Sequence, residues 1–137
     1  MGSVKSHKDL VVWQKSMALA VMIYDIVKLM PRNEQYGMTS QMQRAACSIP
    51  SNIAEGNARG TRKDYARFVG IAFGSLAELE TQLDLIVRVG LLSSTTTAPA
   101  ESLVREVGRM LTSLRSRLSE PLDSDRNHIS DPDLLSP

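Results

Sequence analysis

The chain has 137 residues, 16 Lys/Arg against 15 Asp/Glu, and a formal net charge of +1, so it fits one domain with one core and is no overall polycation. Cys47 is the only cysteine, which excludes an intrachain disulfide, a CxxC redox pair and a thiolate zinc cage and fits a reducing cytoplasm. Aromatic residues make up 4% of the chain, too few for a platform on which bases stack in series.

Charge is unevenly placed along the chain. Residues 1–118 carry 15 Lys/Arg and 10 Asp/Glu, whereas residues 119–137 carry one Arg and five acids. The opening MGSVKSHKDLVVW is charged and short of apolar length, so no signal peptide is expected. No run approaches the ~18–20 apolar residues that span a bilayer, so no membrane role is expected either.

Leu10 to Met30 reads as the first helix, with Asp9 as its cap and Pro31 as its stop. Leu10, Trp13, Met17, Val21, Tyr24 and Val27 follow the 3–4 spacing of a bundle seam. Val12, Leu19, Met22, Ile23, Ile26 and Leu29 are apolar as well and cannot share that face. The favoured reading is a second buried face against another subunit, because one small core cannot hide so much apolar surface. The alternative is one broad stripe in a monomer.

Arg32 to Thr39 is a polar connection turning at Gly37, and Thr39 or Ser40 can cap the second helix. Met38, Met42, Ala45, Ala46, Ile49 and Ile53 mark its inner face. Pro50 either starts a new helix or kinks one long helix. The kink is favoured, because both flanks keep one apolar register. Ala45, Ala46, Cys47, Ser48, Ser51 and Ala54 are small and allow close backbone approach, and Gly56 and Gly60 are expected to end the element.

Thr61 to Val89 is the clearest helix, opened by an approximate capping box of Thr61 and Asp64. Tyr65, Ala72, Leu79 and Ile86 recur every seven residues, with Val69, Leu76, Leu83 and Gly90 as the partner series. LLSSTTTA (91–98) reads as a loop and Pro99 as the first position of a fourth helix. Its seam is Val104, Val107, Leu111, Leu114 and Leu118, and Pro121 ends it. The expectation is all-α: an antiparallel up-down four-helix bundle over residues 1–118 with a Pro-kinked second helix. Residues 119–137, acidic and without period, are expected to form a disordered tail.

Chemistry is sparsely represented. The two histidines, His7 and His128, lie near the termini and in no Glu-x-x-His spacing, so no histidine metal centre, Ser/His/Asp catalysis or cofactor is expected. Cys47 on a small-residue face suits packing better than nucleophilic attack. Glu78, Glu80 and Asp84 are a carboxylate trio that suits a cation or acid–base work. Partial burial of Glu80 in a structural ion pair with Arg44 is the preferred account. Arg59, Arg62, Lys63 and Arg67 cluster at the glycine-bearing bend, where cations attract phosphates; the plainer alternative is a solvated helix start. Repetition of the cluster around an oligomer would turn it into a collar.

KDLVVWQKSMALA (8–20), YGMTSQMQRAACSIPSNIAEG (36–56) and FVGIAFGSLAELETQL (68–83) resemble the 23S rRNA intervening-sequence proteins, also called four helix bundle proteins. The resemblance covers roughly residues 8–92, is weak in the fourth helix and is absent from the tail. It implies a homopentameric ring of four-helix bundles in which Pro50 bends a continuous helix. Some members are encoded inside inserts of bacterial 23S rRNA genes. A related branch serves as the accessory protein of diversity-generating retroelements, binding nucleic acid and a reverse transcriptase through a basic surface. Many members read GFGR at the bend, where this chain has Gly56-Asn57-Ala58-Arg59, keeping the cation and losing the aromatic and one glycine. The leading expectation is therefore a non-enzymatic oligomer binding RNA or DNA backbone through Arg59, Arg62, Lys63 and Arg67. The competing one is a protein–protein scaffold with no nucleic-acid role.

Overall fold

A computed structural model describes residues 6–120. The acidic tail expected beyond them lies outside the described residues. A 3-10 turn over His7–Asp9, capped by the Ser6 hydroxyl, leads into α1 (Val11–Val27). A second short turn, Arg32–Glu34, precedes α2 (Met38–Ala58), followed by α3 (Arg62–Arg88) and α4 (Ser94–Leu118). The described residues form no strand.

Each helix packs on two neighbours, α1 on α2 and α4, and α3 on α2 and α4. The order around the bundle is thus α1–α2–α3–α4. Antiparallel register is visible in the cross-helix contacts. Ser48 and Ser75 share a 2.8 Å hydroxyl hydrogen bond, while Gly56, later in α2, faces Tyr65 and Phe68, earlier in α3. Likewise, Gly108 meets Leu76, and the Arg62 side chain meets the Arg117 carbonyl at the far end of α4. All four helices direct their apolar stripes into one core that includes Leu19, Ile23, Met42, Ile49, Ile53, Val69, Leu79, Leu83, Ile86 and Leu111.

The seams expected for α2 and α4 are the buried ones, apart from half-buried Met38 at the start of α2, as is that of α3 up to Ile86. Gly90 instead adopts a left-handed φ of 83° just past the helix, where a side chain would be strained. α1 is rotated from its expected phase. Val12, Ser16, Leu19, Ala20, Ile23, Ile26 and Val27 face the core, whereas Met17, Val21 and Tyr24 are exposed. Two apolar faces do exist on this helix, but the seam first assigned to the core reaches it only at its ends, through Leu10, Trp13 and Val27, while its middle, Met17, Val21 and Tyr24, faces outward. Periodicity alone cannot choose between two apolar stripes; the packing of α2 and α4 does.

Several boundaries also differ. Leu10, not Asp9, is the N-cap of α1, and it provides no side-chain cap. α2 starts directly after Gly37 without a Thr or Ser cap, and it runs as one helix through Pro50, which is buried within it. Gly56 does not end α2. It is buried because a β-carbon there would lie 2.8 Å from Phe68 Cβ and 3.1 Å from Tyr65 Cδ1, so glycine lets α2 and α3 approach. The chain turns at Gly60, with φ of 92°. α4 begins at Ser94, earlier than expected, because the Ser93 hydroxyl accepts from the Thr96 amide and Thr97 is buried against the core. Pro99 therefore falls inside α4, not at its first position.

Candidate nucleic-acid interface

The antiparallel topology brings the start of α1, the end of α2, the start of α3 and the end of α4 to one end of the bundle. Divided at the helix midpoints, the half comprising residues 6–19, 48–75 and 106–120 holds nine Lys/Arg and five Asp/Glu. The other described half holds five and six. A nearly neutral chain thus folds into a bundle that is cationic at one end.

At that end the α2–α3 bend is built on Phe68, which is 7% exposed. The Arg59 guanidinium lies 4.9 Å from the ring centroid and that of Arg67 4.4 Å. Both are within range for attraction between a cation and the negative face of the ring. Arg59 also pairs with Glu55 one turn earlier, at 3.0 Å. Lys63, Arg67, Gly70 and Gly74 recur at the 3–4 spacing of one helix face. The missing side chains at Gly70 and Gly74 leave that face low, and Arg115 from α4 reaches over it. Its Nη1 would lie 3.9 Å from a β-carbon at Gly70, and its guanidinium sits 5.0 Å from the Phe73 centroid. Lys63, Arg67 and Arg115 are all exposed. None has a carboxylate within 4.0 Å among the described residues. The result is a stripe of cations along the outer side of α3.

Of the four expected contact residues, Arg59, Lys63 and Arg67 share this surface. Arg62 does not. It is 4% exposed, and its Nη2 donates to the Arg117 carbonyl, where the last turn of α4 leaves acceptors without helical partners. Its role is to join α3 to α4, since a side chain enclosed in this way is not presented to an external phosphate. The expected Arg44–Glu80 pair is likewise not formed. Arg44 is exposed and donates to Ser40 at 3.0 Å, one turn earlier on its own helix. Glu80 is exposed beside Phe73, Leu76 and Arg105 in a shallow depression between α3 and α4. The polar link between α2 and α3 is instead Ser48 with Ser75, and Asn52 donates to the Ser48 carbonyl and hydroxyl at 2.7 and 2.9 Å.

Sequence reasoning missed Arg115, which is remote in the chain, and the part played by Phe68 and Phe73. A detectable signal was a pair of glycines at i and i+4 in line with Lys63 and Arg67. Beneath the stripe, Tyr65 is fully buried and its hydroxyl has no hydrogen-bond partner among the described residues. Burial pushes its pKa up to about 12, and the nearby Asn57 side chain acts in the opposite direction.

On the opposite side of α2, exposed Met17, Val21 and Tyr24 of α1 border a groove of about 350 Å3 with Ala20, Cys47 and Pro50. The Tyr24 hydroxyl lies 3.5 Å from Cys47 Sγ, and this contact raises the Tyr24 pKa. Among the described residues no group of three or more His, Cys, Asp or Glu side chains is placed to hold a metal. No described helix is long and apolar enough to cross a membrane.

Comparison with known proteins agrees with this architecture. No functionally curated protein matches the chain. A solved structure from Bacteroides thetaiotaomicron, described as a protein of unknown function from the S23 ribosomal protein family, superposes with a TM-score of 0.71 at 29% identity. The match covers 77% of this chain and 98% of that one. The family model of the 23S rRNA-intervening sequence protein matches residues 8–113. The chain, a four-helix bundle over most of its length, therefore belongs to the 23S rRNA-intervening sequence protein family.

Proposed function

We propose that this protein is a non-enzymatic, cytoplasmic oligomer that binds the phosphate backbone of RNA or DNA through the cationic stripe of α3. The observation that carries the reading is the alignment of Lys63, Arg67 and Arg115, exposed and in no ion pair among the described residues, beside Arg59 on the same bend. Cations held near aromatic faces keep a defined position and still present charge outward. Phe68 itself is enclosed, so recognition is led by charge and not by stacking on bases. Such binding weakens steeply with salt, by a slope of about 0.9 for each phosphate neutralised on a duplex.

Association of several copies would multiply the stripe. The apolar α1 face of Met17, Val21 and Tyr24 supports a second copy of the chain as its occupant, consistent with the pentamer that the family resemblance implies. The same face also favours the second reading, a scaffold for a protein partner such as a reverse transcriptase, in which the charges serve only solubility.

Binding of a labelled RNA titrated from low to high salt tests the first reading. A Lys63→Ala/Arg67→Ala double variant should bind more weakly and lose about two units of salt slope per subunit engaged. Absence of binding at low ionic strength, or binding indifferent to both substitutions, would leave the scaffold reading.

A further inference from the structure

The cationic end of the bundle is also where the most acidic part of the chain is attached. α4 runs to Leu118, and its last turn is held to the start of α3 through Arg62. Residues 121–137 continue from that point and carry Asp123, Asp125, Asp131 and Asp133 against Arg126. Their net of three negative charges nearly matches the excess of four cations counted in that half of the bundle. At ~3.5 Å per extended residue the segment can reach up to ~60 Å. The full length of α3, with its 27 residues, is only ~40 Å. Every cation of the stripe is therefore within its tether. A short tether holds a ligand at an effective concentration of millimolar order, so weak attraction is enough for substantial occupancy.

We propose that residues 121–137 act as an intramolecular competitor for Arg59, Lys63, Arg67 and Arg115, so that a polyanion binds by displacing them. The inference rests on the backbone-binding reading and adds its regulation. Competition of this kind sets a threshold. Short or sparsely charged anions fail to displace the segment, whereas a long backbone, which neutralises several cations at once, succeeds. It also gives salt two opposing effects, since screening weakens the competitor as well as the ligand.

The test uses the full chain carrying Asp123→Asn, Asp125→Asn, Asp131→Asn and Asp133→Asn together, with a short fluorescein-labelled RNA duplex as probe. Freeing one phosphate contact should tighten binding about tenfold at low salt and steepen the salt dependence by about one unit. The advantage should vanish near ~1 M salt, where the screening length is ~3 Å. A synthetic peptide of residues 121–137, added to the Asn variant, should weaken RNA binding again. Equal affinity of the two full-length forms overturns this inference and leaves the backbone-binding reading intact. Weaker binding by the Asn variant also overturns it, since the segment would then be part of the contact. If neither form binds RNA at low salt, both fall together.

Discussion

The close approach of α2 to α3 at Gly56 yields the sharpest stability prediction. At Gly56 an added methyl would sit 2.8 Å from Phe68 Cβ, 3.1 Å from Tyr65 Cδ1 and 3.3 Å from the Tyr65 carbonyl oxygen. Carbon atoms pack best at ~3.5–4.0 Å. Phe68 Cβ is fixed to its own backbone, so no rotamer change relieves the overlap, and α2 must move away from α3. Overpacking of this type costs about 1–3 kcal/mol. Gly74 provides the control: it lies in the interior of α3, and nothing stands within 4 Å of its would-be β-carbon. Both Gly→Ala changes gain about 1 kcal/mol of helix propensity. Gly74→Ala should therefore stabilise by that amount, whereas Gly56→Ala should be neutral to about 2 kcal/mol destabilising. The gap of about 1–3 kcal/mol corresponds to roughly 4–12 °C in melting temperature for a domain of this size. Urea and thermal melts at matched protein concentration measure it. Equal midpoints for the two variants would refute the close-approach account. Since Phe68 also supports Arg59 and Arg67, Gly56→Ala should weaken RNA binding as well, although it removes no charge.

The remaining predictions separate structural from exposed charges. Arg62→Ala should lower stability by about 1.5–3 kcal/mol, the range for a hydrogen bond to a charged group, and should flatten the salt dependence of RNA binding less than Lys63→Ala does. Glu80→Gln should leave the melting temperature unchanged within about 0.5 kcal/mol, because Glu80 is exposed and unpaired with Arg44. Tyr65 is held neutral by burial, with a folded pKa of about 12 against 10.0 when free. A raised folded pKa contributes stability below pH 10 that is lost as pH rises towards 12. Tyr65→Phe should accordingly abolish about 3 kcal/mol of alkaline destabilisation, read from urea melts across that window. Val21→Glu places a charge on the exposed α1 face and should shift solution mass by light scattering towards the monomer at unchanged helix content.

Much of this protein is legible in its letters because local physics sets it. Heptad spacing in α3 puts Tyr65, Val69, Ala72, Leu76, Leu79, Leu83 and Ile86 on one buried stripe, as observed. The Thr61 hydroxyl caps that helix as its spacing to Asp64 suggests. The seams of α2 and α4 follow from the same 3–4 rule, and so does the all-helical class.

Tertiary structure decided wherever one local pattern allowed two outcomes. α1 has two apolar stripes, and only contact with α2 and α4 sends Val12, Leu19 and Ile23 inward and leaves Met17, Val21 and Tyr24 outside. Arg62 and Lys63 are adjacent cations with equal claims in sequence. The rotation of ~100° per helical residue places one against the end of α4 and the other in solvent. Arg115 joins Lys63 and Arg67 through antiparallel packing that no spacing along the chain announces. Periodicity specifies which residues share a face. Which way that face points, and which distant charge arrives beside it, depends on the other helices competing to cover the same core.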